Sequence, residues 1–383
     1  MSIDRRYQLV LLGQELDRWK SASLKEIENS FSAVGLDLAK DGEVLHGGRS
    51  TPDWDGFPVG VWFGGFDPID SGEAELAGQM IERGFSVFPV VEALDSFSLK
   101  VPECLRPING QEWDAIKLAA DVMAGFRLGR RQRQVFISYK RSESSGVANQ
   151  LFHELVERGY RVFLDTVSVD AGIDFQRALW GRMADVDLLV LLDSPTALTS
   201  KWVHEELNRA HDLGMGIVQL VWPNHKRTDG TELSVSIDLD LTDFTRGTAD
   251  KDDRLESSLI ENLLRTVESE RIRSLNARRT RLIEGLTSTL GGTGIELLVH
   301  PARNVDLLRA GTKIASVEPF VGVPDAMCVY GFDIASKGEK TAVLYNGLGV
   351  DVDWKRHLDW LNEKCVVDVL QVDDVADFVR RLP

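Results

Sequence analysis

The sequence predicts an α/β protein of three small domains, and three observations lead to this prediction. Its 383 residues exceed the length of one typical domain and suggest two or three. Hydrophobic residues make up 43% of the chain and charged residues 27%, as in an ordinary globular protein. Short apolar runs of strand length alternate with helix-like segments, which is typical of sheets built from parallel strands.

The N-terminal α/β domain is predicted to span residues 1–126. Strand-like runs lie at residues 7–13, 59–64 and 85–91, and helix-like segments lie at 71–83 and 113–126. No catalytic motif stands out in this domain, so we expect a role in sensing or assembly. The Arg-rich segment 127–133 follows, and we interpret it as a basic linker because short basic runs are common and unspecific.

A second α/β domain is predicted at residues 134–275. Strands are expected at 135–139, 161–164, 188–192 and 217–221, with helices at 147–158, 175–184 and 202–213. The polar segment 224–253 is interpreted as a long loop with at most one short strand. The long helical stretch 255–290 is expected to close this domain and to lead into the next.

The C-terminal residues 276–383 are predicted to form a third α/β domain. Strand-like runs lie at 295–299, 313–317, 327–330, 342–345 and 366–372, and helices are expected at 354–361 and 374–382. Neither flanking domain shows a phosphate-binding loop, a nucleophile elbow or a metal-ligand cluster. Their roles and ligands stay open at this point.

Charge and cysteine content exclude several classes of function. A formal net charge of −16 argues against a nucleic-acid binder, since phosphate contacts need a basic surface. Three widely separated cysteines form no CxxC pair, which argues against a disulfide framework and a zinc site. The chain shows neither a signal-peptide core nor an apolar stretch long enough to span a bilayer, so we expect a cytoplasmic protein without membrane contact.

Polar and aromatic residues of the second domain gather where its strands end. Lys140 and Arg141 follow the first strand, and Trp222 follows the strand 217–221. Trp202 and Glu206 are four residues apart, so a helix places them on one face. Ligands of open α/β sheets bind beyond the carboxyl ends of the strands, and this set of groups suits a flat, charged nucleotide.

Five motifs of this domain, in this order, carry a family resemblance: FISYKR, VFLDTVSVDAG, LLVLLDSPTAL, SKWVHEEL and IVQLVWP. They resemble a TIR domain of the NAD-consuming kind, found in bacterial immunity, in plant immune receptors and in the axon-degeneration NADase of animals. The resemblance covers about residues 134–225 and is specific because order and spacing both agree. It implies a flavodoxin-like parallel sheet and cleavage of the nicotinamide–ribose bond of NAD⁺.

The resemblance also implies roles for individual residues. Glu206 takes the position of the catalytic glutamate, and the substrate-binding positions fall on Lys140, Arg141, Asp170, Gly172, Trp202 and Trp222. Lys140 stands where arginine is frequent, and Asp170 stands where glutamate is also seen. NAD⁺ is the substrate, and neither a metal nor a further cofactor is expected. Self-association through the BB loop, at residues 165–175, is expected to complete the site.

Other interpretations of the same residues remain open. Trp202 and Trp222 are also typical of core packing, Lys140 and Arg141 of surface charge, and an isolated helix glutamate such as Glu206 of a solvated face. A non-enzymatic TIR scaffold that signals through TIR–TIR contacts is the alternative function, and a catalytic flanking domain is the third. An activating ligand or protein is expected to act at the flanking domains, with an immune or antiphage role for the whole chain.

Overall fold

A computed structural model of the chain describes two compact units, Met1–Arg131 and Gln132–Pro383. Within them it describes residues 7–13, 17–47, 50–54, 57–65, 69–130, 132–164, 181, 183–197, 201–227, 231, 233–300, 304–336 and 338–382, without the side chains of 17, 18, 57, 201, 202 and 335. The division between the units falls inside the segment 127–133 that the sequence predicts to be a linker.

The first unit contains a five-stranded sheet in the order β2-β1-β3-β4-β5, and every neighbouring pair in it is parallel. Its strands are β1 (Tyr7–Gly13), β2 (Gly42–His46), β3 (Phe57–Phe63), β4 (Val87–Val91) and β5 (Gln111–Glu112). Its helices are α1 (Asp17–Ala33), α2 (Leu38–Asp41), α3 (Ser71–Glu82), α4 (Phe97–Lys100) and α5 (Ala115–Gly125). The predicted parallel α/β fold is confirmed, although α1, α2, α4, β2 and β5 were not predicted.

The second unit begins with a parallel sheet in the order β7-β6-β8-β9-β10. Its strands are β6 (Arg133–Ser138), β7 (Tyr160–Leu164), β8 (Leu188–Asp193), β9 (Gly216–Val221) and β10 (Val235–Asp238), with helices α6 (Arg141–Glu157) and α7 (Lys201–Asp212). Strands β6, β8 and β9 are buried along their whole length, because a parallel sheet is covered on both faces. The strand order is the flavodoxin-like one, as predicted. The predicted helix 175–184 lies largely outside the described residues.

Helix α8 (Ser257–Leu290) is 34 residues long and is shared by two hydrophobic cores. Its first half buries Leu263, Leu264 and Val267 and packs against β8 and β9. Leu286 and Leu290, in its last turns, lie in the core of the C-terminal sheet. The predicted domain boundary at 275/276 therefore falls inside a continuous helix.

A buried ion network fastens α8 to the sheet of β6–β10. The guanidinium of Arg271 donates hydrogen bonds to Glu268, at 3.0 and 2.8 Å, and to the Asp187 carboxylate at 3.0 Å. Tyr160 also donates its hydroxyl hydrogen to Glu268. Burial disfavours the charged form of Glu268, but the charge of Arg271 outweighs it and lowers the pKa of this carboxyl. Asp187 directly precedes β8, so the network lies at the amino edge of the sheet.

The C-terminal sheet has the order β11-β12-β13-β14-β15. Strands β11 (Ile295–Val299), β12 (Val305–Arg309) and β13 (Thr312–Phe320) pair antiparallel, and β14 (Thr341–Tyr345) and β15 (Asp368–Gln371) extend β13 in parallel. Helices α9 (Ala326–Ser336), α10 (Val352–Lys364) and α11 (Val375–Arg380) complete the layer. The predicted α/β class is confirmed, and β12 was not predicted.

One predicted strand of this domain is wrong. Residues 327–330 read as a short apolar run, but they lie in helix α9. The carboxylate of Asp325 accepts a hydrogen bond from the backbone N–H of Cys328 at 2.7 Å and so caps the first turn of that helix. Four apolar residues are too few to distinguish a helical period from a strand, and the cap decides the outcome.

Among the residues that the structure describes, no helix is long and apolar enough to cross a membrane.

Candidate active site

The carboxyl edge of the β6–β10 sheet has a topological switch point between β6 and β8. These two strands are neighbours in the sheet, and the chain continues from them in opposite directions, to β7 and to β9. Such a point leaves a crevice in which open α/β sheets bind their ligands. Ser138 is the last residue of β6 and Asp193 is the last of β8, so both side chains belong to this edge.

Glu206 lies on the buried face of α7. Val203, Leu207 and Ala210 follow the same face of the helix and pack into the core beside the sheet. Glu206 is 2% exposed, and its Oε2 accepts a hydrogen bond from the Ser138 hydroxyl at 2.5 Å. The structure therefore places Glu206 at the end of β6 and not on the solvated side of the helix.

Lys140 and Glu143 connect the ends of β6 and β8 through Thr196. Lys140 Nζ donates to the Thr196 carbonyl oxygen at 3.2 Å and forms an ion pair with Glu143 at 3.4 Å. The backbone N–H and the hydroxyl of Thr196 both donate to Glu143. Burial disfavours the charged carboxylate, but hydrogen bonds from Thr196 and Ser194 outweigh it and lower the pKa of Glu143 to about 2.

The remaining predicted substrate-binding residues are placed to different extents. Arg141 begins α6 at this same edge, and its side chain is exposed. The backbone of Trp202 lies in α7 one turn before Glu206, and its side chain is outside the described set. Asp170 and Gly172 lie outside the described residues. The substrate-binding roles of these four residues stay predictions.

Trp222 directly follows β9 and is packed inside the domain. The residue is 4% exposed, and its ring meets Phe244 edge-to-face at 5.5 Å between centroids. The indole N–H donates to the Ala249 carbonyl oxygen at 3.1 Å. Asp253 holds this loop by accepting hydrogen bonds from four backbone N–H groups, those of Arg246, Thr248, Ala249 and Arg254. These contacts are those of a residue packed in the core, which was the other interpretation of Trp222. A role of Trp222 in stacking on a ligand stays a prediction.

Sequence reasoning missed a buried polar chain below the edge. The Asp193 carboxylate accepts a hydrogen bond from the side-chain amide of Gln219 at 2.6 Å, and it lies 3.1 Å from Nε2 of His225. The side-chain oxygen of Gln219 in turn accepts from the Ser234 hydroxyl at 2.7 Å. The polar residue that ends the run LLVLLD was a signal for Asp193, whereas its contacts depend on the register of β8 against β9.

Within the described part of the chain, no His, Cys, Asp and Glu residues gather in a group that could hold a metal ion. This edge carries the buried Glu206 carboxylate, the ion pair of Lys140 with Glu143 and the exposed guanidinium of Arg141. A buried carboxylate beside an exposed guanidinium is a set that fits a sugar carrying a pyrophosphate.

Part of the chain is similar to known proteins. Residues 135–259 match the family model described as TIR domain. A curated relative, NAD(+) hydrolase sarm1 of Drosophila melanogaster, is 31% identical over 106 residues, which are 24% of this chain and 8% of that protein. Among solved structures, the TIR domains of the activated Roq1 resistosome are 16% identical over 37% of this chain and 84% of theirs, with a TM-score of 0.23. A glycosyl transferase of family 9 from Veillonella parvula is 11% identical over 62% of this chain and 87% of its own, with a TM-score of 0.21.

Proposed function

Residues 135–259 are a TIR domain, and on this premise we propose that the chain cleaves the nicotinamide–ribose bond of NAD⁺ with Glu206 as its catalytic carboxylate. One observation carries the proposal: a buried carboxylate on α7 lies at the switch point of the sheet and accepts a hydrogen bond from Ser138. The name of the relative from Drosophila melanogaster, NAD(+) hydrolase, supports the same reaction. Since only 8% of that protein is matched, the comparison supports the TIR part alone.

The chemistry follows from the bond that breaks. Nicotinamide departs as a neutral molecule from a cationic ring, so its departure needs no general acid. The ribose then develops oxocarbenium character, as a sugar does in glycoside hydrolysis. A carboxylate beside the ribose stabilises this positive charge, and it does so more strongly in a buried site than in water. Glu206 would also hold a ribose hydroxyl and then orient the acceptor, which is water or a hydroxyl group.

The substrate phosphates are assigned to the cations at the same edge. Arg141 is exposed and forms no ion pair with a described residue, so its guanidinium is available to bind the pyrophosphate in a bidentate manner. Lys140 is already paired with Glu143 and contributes a weaker positive field. We therefore assign the larger share of phosphate binding to Arg141.

Access to Glu206 connects the reaction with self-association. With 2% of its surface exposed, Glu206 cannot contact a ribose unless neighbouring groups move. We assign this movement to docking of a second TIR domain through residues 165–175. Activity would then rise steeply with protein concentration. This behaviour suits an effector of bacterial immunity, such as antiphage defence, that depletes NAD⁺ or makes an ADP-ribose signal.

The test compares two neighbouring glutamates on one helix. The purified chain, concentrated and with a crowding agent, is incubated with NAD⁺, and nicotinamide and nucleotide products are separated by chromatography. Glu206→Gln keeps the size of the side chain and removes its charge, and we expect release to fall by about 100-fold or more. Glu205→Gln makes the same change on another face of α7 and should leave release within about twofold.

Two results would contradict the proposal. Undiminished release by Glu206→Gln would remove this residue from the reaction. No release by the wild-type chain at any concentration, together with concentration-dependent association in light scattering, would favour the non-enzymatic scaffold.

A further inference from the structure

A cavity of about 320 Å³ lies between the C-terminal sheet and the helices α7 and α8. We propose that it binds a small phosphate ester that also carries hydroxyl groups, of the size of a nucleoside monophosphate. Its volume falls at the lower end of the range of small-molecule sites. It is separate from the site of Glu206, and binding there does not depend on the function proposed above.

The first argument is the position of the cavity on its sheet. Phe320 and Tyr345 end the parallel strands β13 and β14, Val372 follows β15, and all three line the cavity. Ligands of such sheets bind beyond the carboxyl ends of parallel strands. Gly322 and Gly347 line the same space, and since they have no side chains, a ligand can approach the backbone there.

The second argument is the charge on the helical wall. Arg278 and Arg281 are three residues apart on α8, so both face the cavity. Arg278 donates a hydrogen bond to the Val186 carbonyl oxygen at 3.0 Å, which orients its guanidinium. Arg281 is exposed, and within the described part of the chain no carboxylate pairs with it. In a chain of net charge −16, two neighbouring guanidinium groups form a local anion site.

The third argument narrows the ligand class. Asp212, the last residue of α7, also lines the cavity. A carboxylate repels inorganic phosphate but accepts hydrogen bonds from hydroxyl groups. Two arginines with one aspartate therefore favour a sugar phosphate or nucleotide over a bare inorganic anion.

The cavity and Glu206 lie at opposite edges of the β6–β10 sheet. Val186 precedes β8 and Leu213 precedes β9, so the cavity is next to the amino edge of the sheet. Helix α7 carries Glu206 in its middle and ends at the cavity. A ligand that moves the end of α7 would change the position of Glu206 relative to the end of β6. This regulatory consequence rests on the proposed function, whereas binding itself does not.

The test uses AMP and inorganic pyrophosphate as probes in titration calorimetry with the full chain. We expect AMP to bind, to bind more tightly than pyrophosphate, and to weaken as salt is raised. Arg281→Ala should weaken AMP binding about tenfold or more, because one charge-assisted hydrogen bond or ion pair is lost. Arg356→Ala makes the same charge change at an exposed position of α10, with a side chain 75% exposed, and should leave AMP binding unchanged.

Three outcomes would overturn the site. They are no AMP binding at millimolar concentration, tighter binding of pyrophosphate than of AMP, and AMP binding that is unchanged in Arg281→Ala, which would place AMP elsewhere. For the regulatory consequence, AMP should change nicotinamide release by the wild-type chain and not by Arg281→Ala. If the chain releases no nicotinamide at all, the proposed function fails and the calorimetric result for the cavity still stands.

Discussion

The hydrogen bond from Ser138 to Glu206 leads to a quantitative prediction for Ser138→Ala. The two groups are 0% and 2% exposed, and the bond is 2.5 Å long. A hydrogen bond to a charged group contributes about 1.5–3 kcal/mol, so its loss should lower kcat/KM for nicotinamide release by roughly 10-fold to 150-fold. In the proposed site Ser138 orients the carboxylate, and phosphate binding is assigned to Arg141, so kcat should fall more than KM rises.

A control and a rescue variant complete this experiment. Ser145 of α6 donates its hydroxyl hydrogen to the Arg141 carbonyl oxygen at 2.6 Å, outside the bond to Glu206. Ser145→Ala should therefore keep kcat within about twofold. Ser138→Thr retains a hydroxyl and should recover part of the lost kcat. If Ser138→Ala releases nicotinamide as fast as the wild-type chain while its thermal unfolding is unchanged, the hydrogen bond does not position Glu206.

Three further predictions concern stability. Arg271→Met leaves two carboxylates buried without their cation and should lower the free energy of unfolding by about 3–5 kcal/mol in urea titrations. The control Arg273→Met, at a side chain 55% exposed, should lower it by less than about 1 kcal/mol. Equal losses in the two variants would contradict the buried network. Gly13 and Gly35 both have a positive φ, at 79° and 73°, but a Cβ at Gly13 would overlap the backbone carbonyl oxygen of Phe63 and one at Gly35 meets nothing, so Gly13→Ala should unfold at clearly lower urea than Gly35→Ala. The pKa of Glu143 is lowered from 4.5 to about 2, so its contribution to stability is fully present above pH 4.5 and lost as pH falls towards 2; an NMR titration that finds this carboxyl protonated at pH 4 would refute the network with Thr196.

Local patterns were sufficient to predict most of the strands and the sheet edge at which the candidate site lies. The run 188–192, five apolar residues between two aspartates, favours a buried strand, and the alternation of such runs with helix-like segments predicts parallel sheets. The spacing of Trp202 and Glu206 and the cations after the first strand mark one edge of one sheet. These features depend on neighbours a few residues apart, which a single sequence displays directly.

Tertiary structure decided everything that depends on residues far apart along the chain. Ser138 and Glu206 are 68 positions apart, and only the packing of α7 on the sheet brings them together. The burial of Trp222 against Phe244 depends on the loop that Asp253 holds, and the spacing of neighbouring residues in the sequence does not predict this contact.

The C-terminal cavity depends on the same kind of long-range packing. It joins the end of α7 with strand ends more than 100 residues later in the chain, because one continuous helix, α8, packs into both cores. The sequence by itself determined most of the strands and the edge at which the TIR chemistry is expected. The fold alone determined which side chains meet there, because burial and hydrogen bonding between distant segments exist only after the chain has packed.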